Sequence, residues 1–206
     1  MQEIFNDMIK KDITPFLSKL GYKKKTLNFY KTTENLIYMF HFQKSSGHSA
    51  DNAMFYVNCG IYAPELAQIQ SKEILTAPKE VECHFRARIE EIVKSVPARF
   101  SITSATNIND VREILFHGLE EVHHFYKTMT SVRSIVNYYT SGPFLHLGEE
   151  SFHLLLQVND LTAATQYLKA LQKKHGTEQR WTIFEKKYHA IFKQYGVDID
   201  YILKEK

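Results

Sequence analysis

Apolar and polar residues alternate along much of the stretch from residue 27 to residue 89, and this alternation predicts a β-sheet. In the run 53–62, every second residue belongs to one apolar set: Phe55, Val57, Cys59 and Ile61. The run 36–43 alternates in the same way. Period-two alternation of aromatic and β-branched residues is typical of strands. Shorter runs at 27–32 and 83–89 raise the expected number of strands to about four or five.

The connections between most of these runs are short and polar. Residues 44–52, for example, are rich in serine, glycine and asparagine, which is typical of a hairpin loop. Short connections favour antiparallel pairing, because parallel strands need a much longer crossover. We therefore expect an antiparallel sheet in a protein of the α+β class.

The segments before and after the predicted strands both show the apolar spacing of helices. Residues 2–20 carry apolar side chains every three or four positions, so they predict an N-terminal amphipathic helix that covers the apolar sheet face. From Asn109 onward the apolar spacing again follows the helical period. A polar segment lies just before it. The sequence therefore predicts a sheet domain over residues 1–104 and a helical C-terminal part over residues 105–206 that packs on it.

The sheet face opposite the apolar side chains carries amide, imidazole and guanidinium groups. Six residues share this phase in three predicted strands and are the candidate binding residues: His41, Gln43, Asn58, His84, Arg86 and Arg88. Arginine offers planar, multidentate donors to carboxylate or phosphate, so the face suits an acidic protein partner or a phosphate-bearing ligand. Two other interpretations compete with this one: the face is merely wet, or the C-terminal helices bury it.

A histidine-rich helix is the one candidate metal site. His117, Glu121 and His124 recur on one side of the helix at a spacing that could hold a metal. However, the chain supplies no closed ligand set, and charge on a solvent-exposed face is the simpler interpretation of the cluster that also contains His123. We therefore expect neither a metal nor another cofactor.

The two cysteines do not indicate catalysis. Cys83 and His84 are neighbours in a predicted strand, so their side chains point to opposite faces and cannot form a nucleophile–base pair. Cys59 and Cys83 both fall in the apolar phase. We therefore predict two buried, unreactive thiols on one face of the sheet, in a reducing compartment.

Composition and charge narrow the range of partners. The 206 residues are 44% hydrophobic and 24% charged, which is ordinary for a folded soluble protein. A net charge of +3, with 23 acidic residues, provides no strong basic field for nucleic acid. The N-terminus has no secretory pattern, and no apolar run has the length of a membrane span. We expect a cytoplasmic protein without a membrane segment.

Five blocks in the first half of the chain resemble a known bacterial family. They are Leu20-Gly-Tyr-Lys-Lys-Lys25, Phe29-Tyr30, Phe42-Gln-Lys-Ser45, Val57-Asn-Cys-Gly-Ile-Tyr-Ala-Pro-Glu65 and Cys83-His-Phe-Arg-Ala-Arg-Ile89. In order and spacing they are similar to the domain of unknown function DUF4304, up to about Ile102. The resemblance implies a bacterial origin and a small mixed domain of helices and strands. It implies no activity and supplies no catalytic residue.

Taken together, these patterns favour a non-enzymatic intracellular binding or adaptor protein. A role in immunity or defence is an association only, because small bacterial sheet-plus-helix proteins without catalytic motifs often serve in this way. Two alternatives stay open. One is a nucleic-acid or nucleotide binder that uses the polar sheet face, and the other is a metal-dependent hydrolase that uses the histidine-rich helix.

Overall fold

The computed structural model of the chain describes residues 1–47 and 49–204. Contacts between residues divide the chain into two compact units. The sheet unit comprises Met1–Pro64 and Ile74–Ser131, and the helical unit comprises Glu65–Glu73 and the chain from Val132 onward. Each unit is described by itself below.

A six-stranded antiparallel sheet forms the centre of the sheet unit. Its strands are β1 (Lys23–Lys25), β2 (Asn28–Thr32), β3 (Ile37–Lys44), β4 (Ala53–Tyr62), β5 (Phe85–Arg88) and β6 (Phe100–Ile102). The order is β1-β2-β3-β4-β5, and β6 also pairs with β4. The predicted antiparallel sheet is therefore confirmed, and β6 makes it slightly larger than expected.

The alternation in β3 and β4 produces one fully apolar face. Phe40 pairs with Cys59, and Phe42 pairs with Val57, so these four side chains project to the same side of the sheet. All four are buried. The strands form here because the chain has aromatic and β-branched side chains at every second position. In a pleated strand these side chains all lie on one face, where they can be buried together.

An N-terminal helical segment covers part of this apolar face, as predicted. It comprises α1 (Gln2–Met8), a π-helical turn (Ile9–Ile13) and α2 (Thr14–Lys19). The Phe5 ring lies 4.9 Å from the ring of Phe55 on β4, measured between centroids. Pro15, near the start of α2, has no N–H group, and the turn before it is widened rather than broken.

A long helix packs on the same face. A short helix α3 (Pro64–Ile69) and a one-turn helix α4 (Ile89–Ile92) precede this long helix, α5 (Ile108–Thr128). The side chain of Asn107 caps α5 by accepting a hydrogen bond from the N–H of Asn109, at 3.1 Å. At Gly118, a Cβ atom would lie 2.9 Å or less from side chains on α4 and on the loop after it, so glycine permits this close approach.

Because α5 buries its apolar stripe in the sheet unit, it belongs to that unit rather than to the C-terminal part. The stripe consists of Leu115, Leu119, Val122 and Tyr126. The phenol of Tyr126 donates a hydrogen bond of 2.8 Å to the carbonyl oxygen of Met39 on β3. The division between the two units accordingly falls after Ser131, whereas the sequence placed a boundary at residue 104.

The opposite sheet face is partly covered by the segment that leads into β5. A 3₁₀ turn (Glu80–Glu82) precedes Cys83, whose Sγ lies 3.4 Å from the Sδ of Met39. A Cβ atom on Gly60 would lie 2.8 Å from the same sulfur. Cys83 therefore lies on this opposite face, which carries Met39, His41 and Gln43 and which we call the mixed face, whereas Cys59 lies on the apolar face. The prediction that both cysteines lie on one face is wrong. The strand begins only at Phe85, after the chain has turned.

Both cysteines are nevertheless buried free thiols, as predicted. Burial raises the pKa of Cys59 and the pKa of Cys83 above the usual thiol value. Thiolate is the reactive form of cysteine, so both side chains are chemically protected in the folded protein.

The helical unit consists mainly of α6 (Val132–Thr140), α7 (Gly148–Gln157), α8 (Leu161–His175), α9 (Trp181–Gln194) and α10 (Ile199–Lys204). Phe152 on α7 is the centre of its core. The ring of Phe152 lies 5.1 Å from Tyr167 on α8 and 4.7 Å from Tyr188 on α9. The predicted helical C-terminal part is confirmed. Within residues 1–47 and 49–204, no helix combines the length and apolarity that crossing a membrane requires.

Candidate functional site

Four of the predicted site residues lie together on the mixed face of the sheet, and three of them form a cross-strand row. His41 on β3 pairs with Asn58 on β4, and Asn58 pairs with Arg88 on β5. On the other side, His41 pairs with Asn28, which pairs with Lys25. Directly paired residues project to the same side of a sheet, about 5 Å apart. The row therefore has a cation at each end and uncharged polar groups between them.

The amide of Asn58 organises the centre of this row. Its Nδ2 donates a hydrogen bond of 2.8 Å to Oε1 of Gln43 and lies 3.4 Å from Nδ1 of His41. Asn58 is only 5% exposed, so its amide is held in place while Gln43 remains in contact with solvent. Burial lowers the pKa of His41, although the charge of Glu80 acts in the opposite direction. Neutral His41 can then accept from Asn58.

Two arginines converge on Tyr56, next to this row. The guanidinium carbon of Arg88 lies 4.2 Å from the centroid of the Tyr56 ring, in a cation–π arrangement. The side chains of Ser45 and Arg99 lower the pKa of the Tyr56 phenol, which places both of them beside its hydroxyl group. Arg99 comes from the segment just before β6, and the sequence pattern did not identify it.

Arg86 and His84 have other roles. Nε of Arg86 lies 2.7 Å from Oε1 of Glu80, so this cation is paired within the chain. His84 is buried, and its Nδ1 accepts a hydrogen bond of 3.0 Å from the backbone N–H of Ala63. The structure thus removes His84 from the predicted binding surface, because it holds the end of β4 instead. The exposed part of the mixed face, which we call the Tyr56 surface, consists of His41, Gln43, Tyr56, Arg88 and Arg99.

The histidine-rich part of α5 does not assemble a ligand set. His117 contacts the hydroxyl of Ser95 at 3.2 Å, and His124 lies 3.5 Å from the carboxylate of Glu121. Among the residues that the structure describes, no group of three histidine, cysteine, aspartate or glutamate side chains is arranged to hold a metal. The interpretation as a metal-dependent hydrolase therefore gains no support from the geometry.

A cavity of about 230 Å³ in the sheet unit was not identified from the sequence. His123 lies in its wall, only 5% exposed, with Nδ1 3.1 Å from the hydroxyl of Tyr22. The interpretation of His123 as part of a solvent-exposed charge cluster is wrong. The sequence did contain one indication that His123 is buried: it lies four residues after Leu119, on the apolar stripe of α5. Its contact with Tyr22 joins residues 101 positions apart, which no local pattern could reveal.

The surroundings of His123 hold its imidazole in the neutral form. Burial, followed by the positive charges of Lys31 and Lys127 and the neighbouring His124, lowers the pKa of His123 to about 4. Burial also raises the pKa of Tyr22, so the phenol stays protonated. The contact is compatible with both neutral tautomers: either the Tyr22 hydroxyl donates to Nδ1 and the ring proton resides on Nε2, or Nδ1–H donates to the phenol oxygen.

This neutral histidine predicts a specific loss of stability in acid. An unfolded histidine has a pKa of about 6.5, so the unfolded chain binds a proton at this site before the folded chain does. We expect the free energy of unfolding to fall as the pH decreases from about 6.5 to about 4. His123→Gln should reduce this dependence, because glutamine can still accept from Tyr22 but does not titrate.

Urea unfolding at several pH values in this window measures the effect. The matched control is His117→Gln, which removes an exposed histidine of the same helix that does not act on the pKa of His123, so the contribution of His123 should remain in place. His41 also has a lowered pKa, so His123→Gln should reduce the slope without abolishing it. Equal slopes for the wild type and the His123→Gln variant would contradict the prediction.

The sheet unit, with helices packed on one sheet face and a polar cluster on the other, defines an α+β protein with a candidate binding surface. The chain belongs to the family described as a domain of unknown function (DUF4304), whose model matches residues 13–140. The match covers more than half of the chain and confirms the resemblance seen in the sequence. No curated protein and no solved structure matches the chain.

Proposed function

We propose that this protein is a non-enzymatic binding or adaptor protein that captures an acidic segment of a protein partner at the Tyr56 surface. The observation that carries the proposal is the convergence of Arg88 and Arg99 on the ring and hydroxyl of Tyr56. The arrangement offers two guanidinium groups beside an aromatic ring on a rigid sheet. Arginine and tyrosine are enriched among the residues that dominate protein–protein binding energy.

The charge around this surface favours a carboxylate partner. Its five residues include two arginines and no acid, and the row beside it ends at Lys25. A guanidinium group can bind a carboxylate through two parallel N–H···O hydrogen bonds. The network among Asn58, Gln43 and His41 holds the neighbouring donors and acceptors before the partner arrives, which reduces the entropy lost on binding.

Nucleic acid is the second candidate for this surface. A tyrosine ring beside two arginines could stack on a base and contact a phosphate. The formal charge of +3 and the 23 acidic residues support the protein partner instead, because nucleic-acid affinity depends mainly on neutralising many phosphates.

The proposal extends to a bacterial cytoplasmic setting, with a role as an adaptor in immunity or defence. Two buried free thiols support a reducing compartment. The bacterial and defence assignments rest on the family resemblance and on association with other small proteins that lack catalytic motifs.

A variant comparison tests the proposal. Immobilised wild-type protein, the Arg88→Ala/Arg99→Ala double variant and Arg86→Ala are each incubated with nuclease-treated bacterial lysate, and bound proteins are quantified by mass spectrometry. We expect an acidic protein to be retained by the wild type and by Arg86→Ala, and to be depleted at least tenfold on the double variant. Arg86→Ala is the matched control, because Arg86 lies on the same strand as Arg88 but pairs with Glu80.

Stability is measured in parallel, because a misfolded variant would also lose its partner. Both arginines of the double variant are exposed, so its melting temperature should stay close to that of the wild type. Full retention of the same partner by the double variant would overturn the proposal. A parallel incubation of the wild type uses lysate without nuclease, and binding seen only in that untreated lysate would favour the nucleic-acid alternative.

A further inference from the structure

The cavity beside His123 is built from aromatic walls with two ammonium groups among its lining residues. Its lining residues are Tyr22, Lys31, Thr33, Tyr38, His123, Tyr126, Lys127 and Thr130. The three tyrosines and the histidine are each buried, whereas Lys127 and the two threonines are exposed. All eight residues belong to the sheet unit. The cavity therefore has an aromatic interior and a polar, cationic rim.

Internal hydrogen bonds fix the aromatic interior. The hydroxyl of Tyr38 donates to the carbonyl oxygen of Met129 at 2.9 Å, and the hydroxyl of Tyr126 donates to the carbonyl oxygen of Met39 at 2.8 Å. The Tyr22 hydroxyl is occupied by His123. Because the three phenols are already satisfied, the tyrosines present ring surface rather than donors to a molecule in the cavity.

The charge at the cavity is positive and is not balanced by its lining. Lys31 donates to the carbonyl oxygen of Leu20 at 2.9 Å, and its Nζ lies 5.9 Å from the centroid of the Tyr22 ring. Lys127 approaches from α5. Both lysines line the cavity, and the charge of each depresses the pKa of His123. None of the eight described lining residues is acidic.

One imidazole nitrogen in the wall remains available. Nδ1 of His123 is occupied by Tyr22, and Nε2 carries the ring proton when the Tyr22 hydroxyl donates to Nδ1. Among the described residues, Nε2 has no hydrogen-bond partner. A ligand with an acceptor oxygen would favour the tautomer with the proton on Nε2 and would pair this N–H group as well as the ammonium groups.

We propose that this cavity is a binding site for a small aromatic carboxylate. The aromatic ring lies against the tyrosine walls, and the carboxylate meets the ammonium groups of Lys31 and Lys127. A volume of about 230 Å³ accommodates a single ring with one acidic substituent rather than a nucleotide. No guanidinium group lines the cavity, so the fork-shaped donor common in phosphate recognition is missing from its described lining.

This inference is separate from the proposed function at the Tyr56 surface. Tyr38 alternates with Met39 along β3, so its side chain belongs to the sheet face that carries Phe40, opposite His41. The two sites share no residue. A negative result at one site therefore leaves the other unaffected.

Benzoate is the probe for the experiment, and its binding to the full-length protein is followed by protein-observed NMR and calorimetry. Two matched compounds separate the contributions: benzamide has the same ring without the charge, and acetate has the charge without the ring. We expect saturable binding of benzoate, with both controls at least tenfold weaker. Saturating benzoate should shift resonances of His123 and the surrounding tyrosines.

Charge-removing variants locate the site. Lys127→Gln and Lys31→Gln should each weaken benzoate binding at least fivefold. Lys24→Gln is the matched control, since Lys24 is an exposed lysine of the same unit outside the cavity. Lys127 is exposed, so Lys127→Gln should leave the melting temperature unchanged. A loss of benzoate binding in this variant can therefore be distinguished from a loss of folding. Absence of saturable benzoate binding, equal binding of benzamide, or unchanged binding in both cavity variants would overturn the proposal.

Discussion

Replacing Trp181 with alanine is expected to lower the free energy of unfolding by about 3–5 kcal/mol. Trp181 begins α9 and is only 3% exposed. Its ring lies 6.0 Å from Tyr188, which in turn packs on Phe152 at the centre of the helical unit. The substitution removes a large apolar surface from the core, and the surrounding rings can close the resulting cavity only in part.

Urea unfolding followed by circular dichroism measures this loss without relying on tryptophan fluorescence. Ile183→Ala is the matched control on the same helix, because Ile183 is 62% exposed and its truncation should change stability by no more than about 0.5 kcal/mol. A loss below about 1 kcal/mol for Trp181→Ala would show that the tryptophan does not support the core.

An effect of similar size is expected for Phe55→Ala in the sheet unit, again about 3–5 kcal/mol. Phe55 is fully buried and joins three elements. Its ring lies 4.9 Å from Phe5 on α1, 6.2 Å from Phe42 on β3 and 5.1 Å from Phe100 on β6. Truncation therefore loosens a helix and two strand contacts at the same time.

Chemical denaturation again provides the measurement, with two companion variants. Phe55→Leu retains most of the apolar volume and should cost clearly less than the alanine variant. Tyr56→Phe changes the next residue of β4, on the opposite face, and removes only a hydroxyl group. If Phe55→Ala were no more destabilising than Tyr56→Phe, the assignment of the apolar face would be wrong.

The sequence predicted the strands best where the alternation of apolar and polar residues is longest. The range predicted for β4 is the range observed, and the predicted β3 differs by one residue at each end. Both strands alternate in sequence over eight or more residues, so a shift of one position would move every aromatic side chain of the apolar face to the opposite face. In contrast, Cys83 and His84 continue the alternation in the sequence but do not belong to the strand. They directly follow a 3₁₀ turn, and regular strand geometry begins only at Phe85.

The candidate site was predictable in part for a related reason. Strand phase placed His41, Gln43, Asn58 and Arg88 on one face, and antiparallel pairing brought them together. Arg99 could not be found in this way, because it lies in a loop before a three-residue strand. Side chains that arrive from loops follow no period, so only the folded chain shows which surface they join.

The cavity beside His123 was beyond the reach of sequence patterns. Its residues come from β2, β3, α5 and the segments that join or flank them. Each residue has an ordinary local explanation, as a core tyrosine, a solvated lysine or a helix residue. They line one cavity only because the folded chain brings Tyr22 into contact with His123, 101 positions away in the sequence.

The membership of the two units has a consequence for experiments that shorten the chain. Residues Glu65–Glu73 belong to the helical unit, although the sheet unit continues on both sides of them in the sequence. A fragment that ends at Ser131 keeps this stretch but removes the rest of the unit to which it belongs, leaving the buried Leu66 and Ala67 without their own core. A fragment that starts at Val132 lacks the stretch entirely. Experiments on this protein should therefore use the whole chain. To study the helical unit alone, a redesigned gene would have to join Glu65–Glu73 to the segment that starts at Val132.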